Sequence, residues 1–219
     1  MKNEDILEQY EEKKQEIDSR LNEFESLRKA EDRRVFKELV FVILTSQTSA
    51  EKAWKSTEKL DDLQLLERGD KSEIAEVLSR YEVQYEKNKA SYVVENREML
   101  SQPTLQDPTK SLKLRNKIDE DDLDKTRKWF AENIKGMSWK GASHFLRNIG
   151  YGDDFAIISA YISKSLYSLG RKEDAEPPKD REEYMEDEEL MHDIAEETGI
   201  DIQALDLVLW SMENGEVFK

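Results

Sequence analysis

The stretch NIKGMSWKGASHFLRNIGYGDDFAIISAYI, Asn133 to Ile162, decides how the chain is read. It parses as a helix end, a tight glycine-containing hairpin, a second helix, a short Gly/Asp turn and a third helix. Gly136 closes the incoming helix, because glycine accepts the left-handed conformation that a helix C-terminus often needs. Ser138 is a good N-cap for the next helix, in which Ala142, Phe145, Leu146 and Ile149 recur at helical spacing. Lys140 therefore falls in the first turn of that helix, where the helix end already carries partial positive charge. The repulsion favours the neutral amine, the form that a nucleophilic lysine needs.

Downstream, the pattern predicts a helix over Asp153–Leu169 ended by Gly170, then a charged, Pro-Pro-containing linker from Glu173 to Glu183. Helices over Glu188–Thr198 and Asp201–Glu213 follow, stopped by Gly199 and Gly215. Upstream, Asp119–Ile134 reads as a helix presenting Leu123, Trp129, Phe130 and Ile134, preceded by the basic run TKSLKLRNK and a connector framed by Pro103 and Pro108. Leu60–Ser101 reads as three shorter helices with Asp61 and Asp70 as caps. Its Tyr81, Tyr85 and Tyr92 suit a core better than a base-stacking surface.

Asp32–Ser46 is apolar almost all round in its second half, as expected of a buried central helix. It ends in the polar knot Thr45–Ser49, with Thr48 and Glu51 spaced as a capping box for the next helix. Asn3–Ala30 reads as one long amphipathic helix with a solvated Glu/Lys face. With no β pattern and no internal repeat, the fold class is all-α.

Composition narrows the function. The 219 residues contain no cysteine, which excludes disulfides, thiolate zinc sites and iron–sulfur clusters, and the two histidines are too far apart to pair as ligands. No metal and no cofactor are expected. No apolar run approaches the roughly 20 residues of a membrane span, and no signal-peptide pattern is present. A cytoplasmic location without membrane attachment is expected.

A net charge of −16 argues at first against nucleic acid. Its distribution argues otherwise. Lys110–Arg147 holds ten Lys/Arg against six Asp/Glu (+4), while Glu173–Glu197 holds thirteen acids against two bases (−11). The competing readings are an acidic helical interaction protein and a salt-adapted protein whose DNA contacts are confined to one face.

At KGMSWKGASHFLRNIGY (Lys135–Tyr151) the chain resembles the helix-hairpin-helix and catalytic-lysine segment of archaeal-type 8-oxoguanine DNA glycosylase/AP lyases. The resemblance extends to FKELVFVILTSQTSAE (Phe36–Glu51), KASYVVENR (Lys89–Arg97) and LDLVLWSMENGEVFK (Leu205–Lys219). It breaks in two places. Where the family reads Ala-Ile-Ile-Asp, a basic residue, His and Ile, this chain has Ala156-Ile157-Ile158-Ser159-Ala160-Tyr161-Ile162, so the family's catalytic aspartate falls on Ser159. Ser138 stands where the family usually has a second hairpin glycine. Asp153 and Asp154 would sit roughly 7.5–9 Å from Ser159 along a helix axis, too far to substitute.

The resemblance implies a two-lobed helical fold, residues 31–150 in one lobe and residues 1–30 with 151–219 in the other, with a cleft between them. It implies excision of 8-oxoguanine from duplex DNA by a flipped-base mechanism, with Lys140 attacking the sugar C1′. Lys135, Gly136 and Ser138 would bind the phosphate backbone, and Gln47 would fill the gap left by the extruded base. Trp210 would pack on that base, and the α-carboxylate of Lys219 would accept its hydrogen bonds. A monomer is expected. The alternatives are a damaged-DNA-binding homologue with impaired catalysis and an acidic protein-interaction module.

Overall fold

The computed structural model describes residues 1–103 and 110–219, so Pro108 and Thr109 of the expected connector and basic run lie outside the described residues. Among the described residues every regular element is helical, in agreement with the periodicity of the sequence. The chain divides into two compact units, Lys29–Phe145 and Met1–Arg28 with Leu146–Lys219.

The Lys29–Phe145 unit is built on α2 (Asp32–Thr45), in which Val35, Phe36, Val40, Phe41 and Leu44 are all buried. Phe41 meets Trp54 and His144 edge-on, with ring centroids 5.4 and 5.7 Å away. The following helix, α3 (Ala50–Asp62), is capped by Ser49, whose hydroxyl accepts from the Lys52 amide. This replaces the expected Thr48/Glu51 capping box, because Thr48 is held elsewhere. Asp61 lies inside α3 and pairs with Arg33 and Lys37 at 3.0 and 3.1 Å; it caps nothing.

After α4 (Leu65–Arg68), α5 (Lys71–Arg80) opens with a complete Asp70/Glu73 capping box. It packs on α6 (Glu86–Leu100). A 3-10 turn at Arg115–Lys117 leads to α7 (Leu123–Asn133), which starts later than expected because Asp122, not Asp119, provides the cap. The second hairpin helix, α8 (Trp139–Asn148), contributes to both units.

In the other unit α1 (Asn3–Leu27) buries Ile6, Ile17, Phe24 and Leu27 and packs on α11 (Ile202–Asn214). Gly150 follows α8 at φ +83°, and a Cβ there would lie 3.0 Å from the Phe24 carbonyl oxygen. Close backbone approach and a left-handed angle therefore both require glycine. Arg147 is buried with its guanidinium 3.0 Å from Asp206 and 4.7 Å from the centre of the Phe24 ring.

The largest departure from expectation follows. Residues 151–159 are not helical, and only Ala160–Ser168 forms α9. The helix α10 (Arg181–Thr198) begins inside the expected linker, where Asp180 accepts from the Glu183 amide.

Candidate active site and nucleic-acid interface

The hairpin that ends α7 is fastened to α6. Asn96, itself buried, donates to the Lys135 carbonyl at 2.9 Å and accepts from the Lys135 amide at 2.9 Å. Gly136 then turns the chain at φ +81°, where a Cβ would stand 2.6 Å from Cδ2 of Tyr92 and 3.2 Å from Cγ2 of Ile43. Met137 closes the turn by donating to the Ile134 carbonyl at 3.1 Å.

Ser138 caps α8, its hydroxyl accepting from the Gly141 amide at 3.1 Å and its carbonyl from the Ala142 amide at 2.9 Å. The expected cap is in place, so serine at 138 serves the turn without a second glycine. The amides of Gly136 and Ser138 have no acceptor among the described residues, and both residues are exposed. Unsatisfied amides at a tight turn and helix start are the elements of an anion site.

Lys135 carries its charge beside this turn, paired with Glu95. Glu95 also takes the Lys71 ammonium at 2.7 Å and the Ser91 hydroxyl, and hydrogen bonds from Lys135, Lys71 and Ser91 hold its carboxyl down at about 2.

Lys140 sits in the first turn of α8 and is exposed, while every residue from 141 to 150 is buried. A Cβ on its neighbour Gly141 would lie 2.8 Å from Sδ of Met137, so that side chain would have to shift to admit one. The lysine thus stands at the end of a tightly packed helix, with its amine outside the core. The helix is braced from below by Arg127, buried on α7, whose guanidinium stacks on the Trp139 ring at 4.7 Å and reaches Asp124 at 2.8 Å. The sequence offered no sign of this brace.

Gln47 lies in the turn between α2 and α3, exposed, at φ +52°. A non-glycine residue in the left-handed region costs free energy and marks a place worth attention. Thr48 beside it accepts from the Gln84 amide at 3.1 Å, which brings the knot next to Tyr85, the most exposed aromatic ring at 56%. Tyr92 is half-buried against Gly136 and Tyr81 is half-buried too, so Tyr85 is the exception to the core reading of these tyrosines.

Around Ser159 the backbone is held by side chains of α10. The Ala156 amide donates to Glu188 at 3.0 Å. The Tyr184 hydroxyl donates to the Ala156 carbonyl at 2.7 Å and accepts from the Ile158 amide at 3.2 Å. Tyr184 and Glu188 are one helical turn apart, so both reach the same extended segment. Their bonds replace those that a helix would have made, which is why 151–159 stays open. Ser159 ends this segment as the N-cap of α9, accepting from the Ile162 amide at 3.3 Å. Aspartate caps helices as well as serine does, so this position can carry either without a change of backbone. The helical spacing assumed between Asp153 or Asp154 and Ser159 does not apply here.

Tyr161 meets Trp210 edge-on, with centroids 4.9 Å apart. Nε1 of Trp210 is buried without an acceptor among the described residues. Lys219 is half-buried.

Residues 17–200 match the model of the 8-oxoguanine DNA glycosylase family. An 8-oxoguanine DNA glycosylase/AP lyase of Fusobacterium nucleatum is 34% identical, covering 96% of this chain and 94% of its own. That of Korarchaeum cryptofilum is 37% identical, covering 93% and 90%. The crystal structure of the Methanocaldococcus jannaschii 8-oxoguanine glycosylase/lyase in complex with a DNA 15mer containing 8-oxoguanine is similar at a TM-score of 0.82 and 30% identity, covering 97% of this chain and 99% of that one. Similarity over nearly the whole length, in sequence and in fold, shows that this chain belongs to the 8-oxoguanine DNA glycosylase family.

Proposed function

We propose that the protein removes 8-oxoguanine from duplex DNA and then cleaves the strand. The observation that carries this reading is Lys140, exposed in the first turn of a helix that opens on an anion-ready hairpin. The neutral amine attacks C1′, and the bond to the base breaks as the base leaves with the electron pair and takes up a proton. The nitrogen gives up one proton and the ring oxygen O4′ takes one up as the sugar ring opens, leaving the protonated Schiff base. Loss of the C2′ proton then expels the 3′ phosphate, which breaks the strand.

In this reading Lys135, Gly136 and Ser138 bind phosphate, Gln47 occupies the gap in the duplex, and Trp210 and Lys219 contact the extruded base. Ser159 caps its helix but brings no charge to support the developing cation. The protein acts as a cytoplasmic monomer. Its acidic remainder fits concentrated salt, where counterion release weakens and backbone hydrogen bonds carry more of the binding.

Borohydride reduction on an oligonucleotide duplex with one 8-oxoguanine tests the proposal. Wild type gives a covalent adduct, Lys140→Gln gives none, and Ser159→Asp raises base excision by about 10²–10⁴-fold, the usual contribution of a positioned acid–base group. An adduct that survives Lys140→Gln overturns the assignment. Tight lesion binding with no adduct from wild type or Ser159→Asp favours the second reading, a damaged-DNA-binding homologue, which the neutral side chain of Ser159 motivates.

A further inference from the structure

Lys89 of α6 is a buried ammonium without a carboxylate partner among the described residues, and its surroundings state its task. It is 4% exposed, and its Nζ donates to the carbonyls of Leu44 at 2.9 Å and Ser46 at 2.6 Å and to the Thr48 hydroxyl at 3.0 Å. Burial pushes this amine down to about 8. Two of the acceptors flank Gln47 on either side, and the third belongs to the last turn of α2. A buried charge is costly unless its hydrogen bonds are all made, and an apolar side chain would fill the same space without that cost. The cation contributes convergence: one atom ties the end of α2, the carbonyl before Gln47 and the hydroxyl after it. Thr48 is fixed further by the Gln84 amide at 3.1 Å. Between these two anchored residues Gln47 is left at φ +52° with its side chain exposed.

We propose that Lys89 is the positioning residue that holds Gln47 in its left-handed conformation, presenting its side chain to the DNA gap. The inference rests on the proposed function for its DNA contact, but not for its structural half. Three acceptors around one amine over-determine the turn, and that is the condition under which a strained conformation persists. The backbone of Gln47 then meets DNA already ordered, and only its side chain remains to be fixed.

The test compares Lys89→Met, Gln47→Ala and the double variant in the full-length protein, with Lys89→Arg restoring donors at the same place. The three-bond coupling of the Gln47 amide, read by NMR on free protein, reports its φ. Wild type and Lys89→Arg are expected to show the left-handed value and Lys89→Met to lose it. On 8-oxoguanine duplex, Lys89→Met raises KM by about 10- to 100-fold, within the loss that a small misplacement can cause, with kcat little changed. Gln47→Ala does the same, and the double variant is no worse than either. Borohydride trapping on a single-stranded abasic oligonucleotide, which has no gap to fill, stays at wild-type level in Lys89→Met and Lys89→Arg.

An unchanged coupling in Lys89→Met, or additive losses in the double variant, overturns the inference. Wild type that traps no abasic DNA overturns the functional reading, while the coupling still decides the structural half.

Discussion

The hairpin at Ile134–Gly141 and the segment at Tyr151–Ser159 bracket one helix, yet they owe their shapes to different physics. The hairpin is mostly written in its own residues. Gly136 supplies the left-handed angle, Ser138 supplies the cap, and the bonds that close it span three or four positions. The segment before Ser159 has apolar residues that would suit a helix and is not one, because Tyr184 and Glu188, 26 to 32 positions away, take over its backbone groups. Local rules therefore predict the part that leaves the Gly136 and Ser138 amides exposed. They miss the part that ends at Ser159. Lys140, on a locally determined helix start, tolerates change in distant residues. A residue at the end of a borrowed, extended segment does not.

The comparison is broken most directly at Gly136. Gly136→Val adds a branched side chain at φ +81° and 2.6 Å from the Tyr92 ring. The left-handed angle costs about 1–2 kcal/mol and overpacking about 1–3 more, a large share of the roughly 5–15 kcal/mol that holds a domain together. Urea unfolding should show a lowered midpoint, and duplex-DNA affinity should fall with it. A variant as stable and as tight-binding as wild type would mean that the hairpin is not the rigid element described here.

The other side is sharpened by a pair of changes on α10. Tyr184→Phe removes the hydroxyl that serves both the Ala156 carbonyl and the Ile158 amide, leaving two buried backbone groups unpaired at about 1–3 kcal/mol each. Glu188→Gln keeps an acceptor for the Ala156 amide and should cost far less. Base excision should drop in Tyr184→Phe while affinity for undamaged duplex stays near wild type, since the proposed phosphate contacts lie on the hairpin. Equal loss of both would show that the two regions are not separable in function.

The smallest effect is expected at Glu95, which holds Lys135 and Lys71. Glu95→Gln frees Lys135 for phosphate and should tighten binding severalfold at low salt, an advantage that fades as salt screens it. The carboxyl is held below its ordinary 4.5, at about 2. Whatever stability it contributes is therefore present above pH 4.5 and lost as the pH falls towards 2. A pH titration of unfolding should show that loss in wild type and not in Glu95→Gln.

Much of the fold was legible because its signals act over a few residues. The apolar run Val40–Leu44 marks a buried helix, Asp70 with Glu73 forms a capping box, and the helices stop at Gly199 and Gly215 as their positions predict. The misplaced boundaries have a common cause. Asp61 reads as a cap but is taken by Arg33 and Lys37, and Thr48 reads as a cap but is taken by Lys89 and Gln84. In each case a distant partner outcompeted the local bond. Lys89 itself was visible only as one letter in KASYVVENR, because a lysine in a helix of mixed charge carries no mark of burial.

By itself the sequence determined the all-α class, the hairpin, the placement of Lys140 at a helix start and membership of the glycosylase family. The first three follow from caps, glycines and a 3.6-residue period, each satisfied within about one turn; the family shows in whole stretches of sequence that resemble it. Only the tertiary structure decided that Asn96 grips the hairpin, that Lys89 ties the Gln47 turn, and that Tyr184 and Glu188 keep the chain extended up to Ser159. Every buried backbone group must find a partner, and where that partner comes from another helix no local pattern announces it.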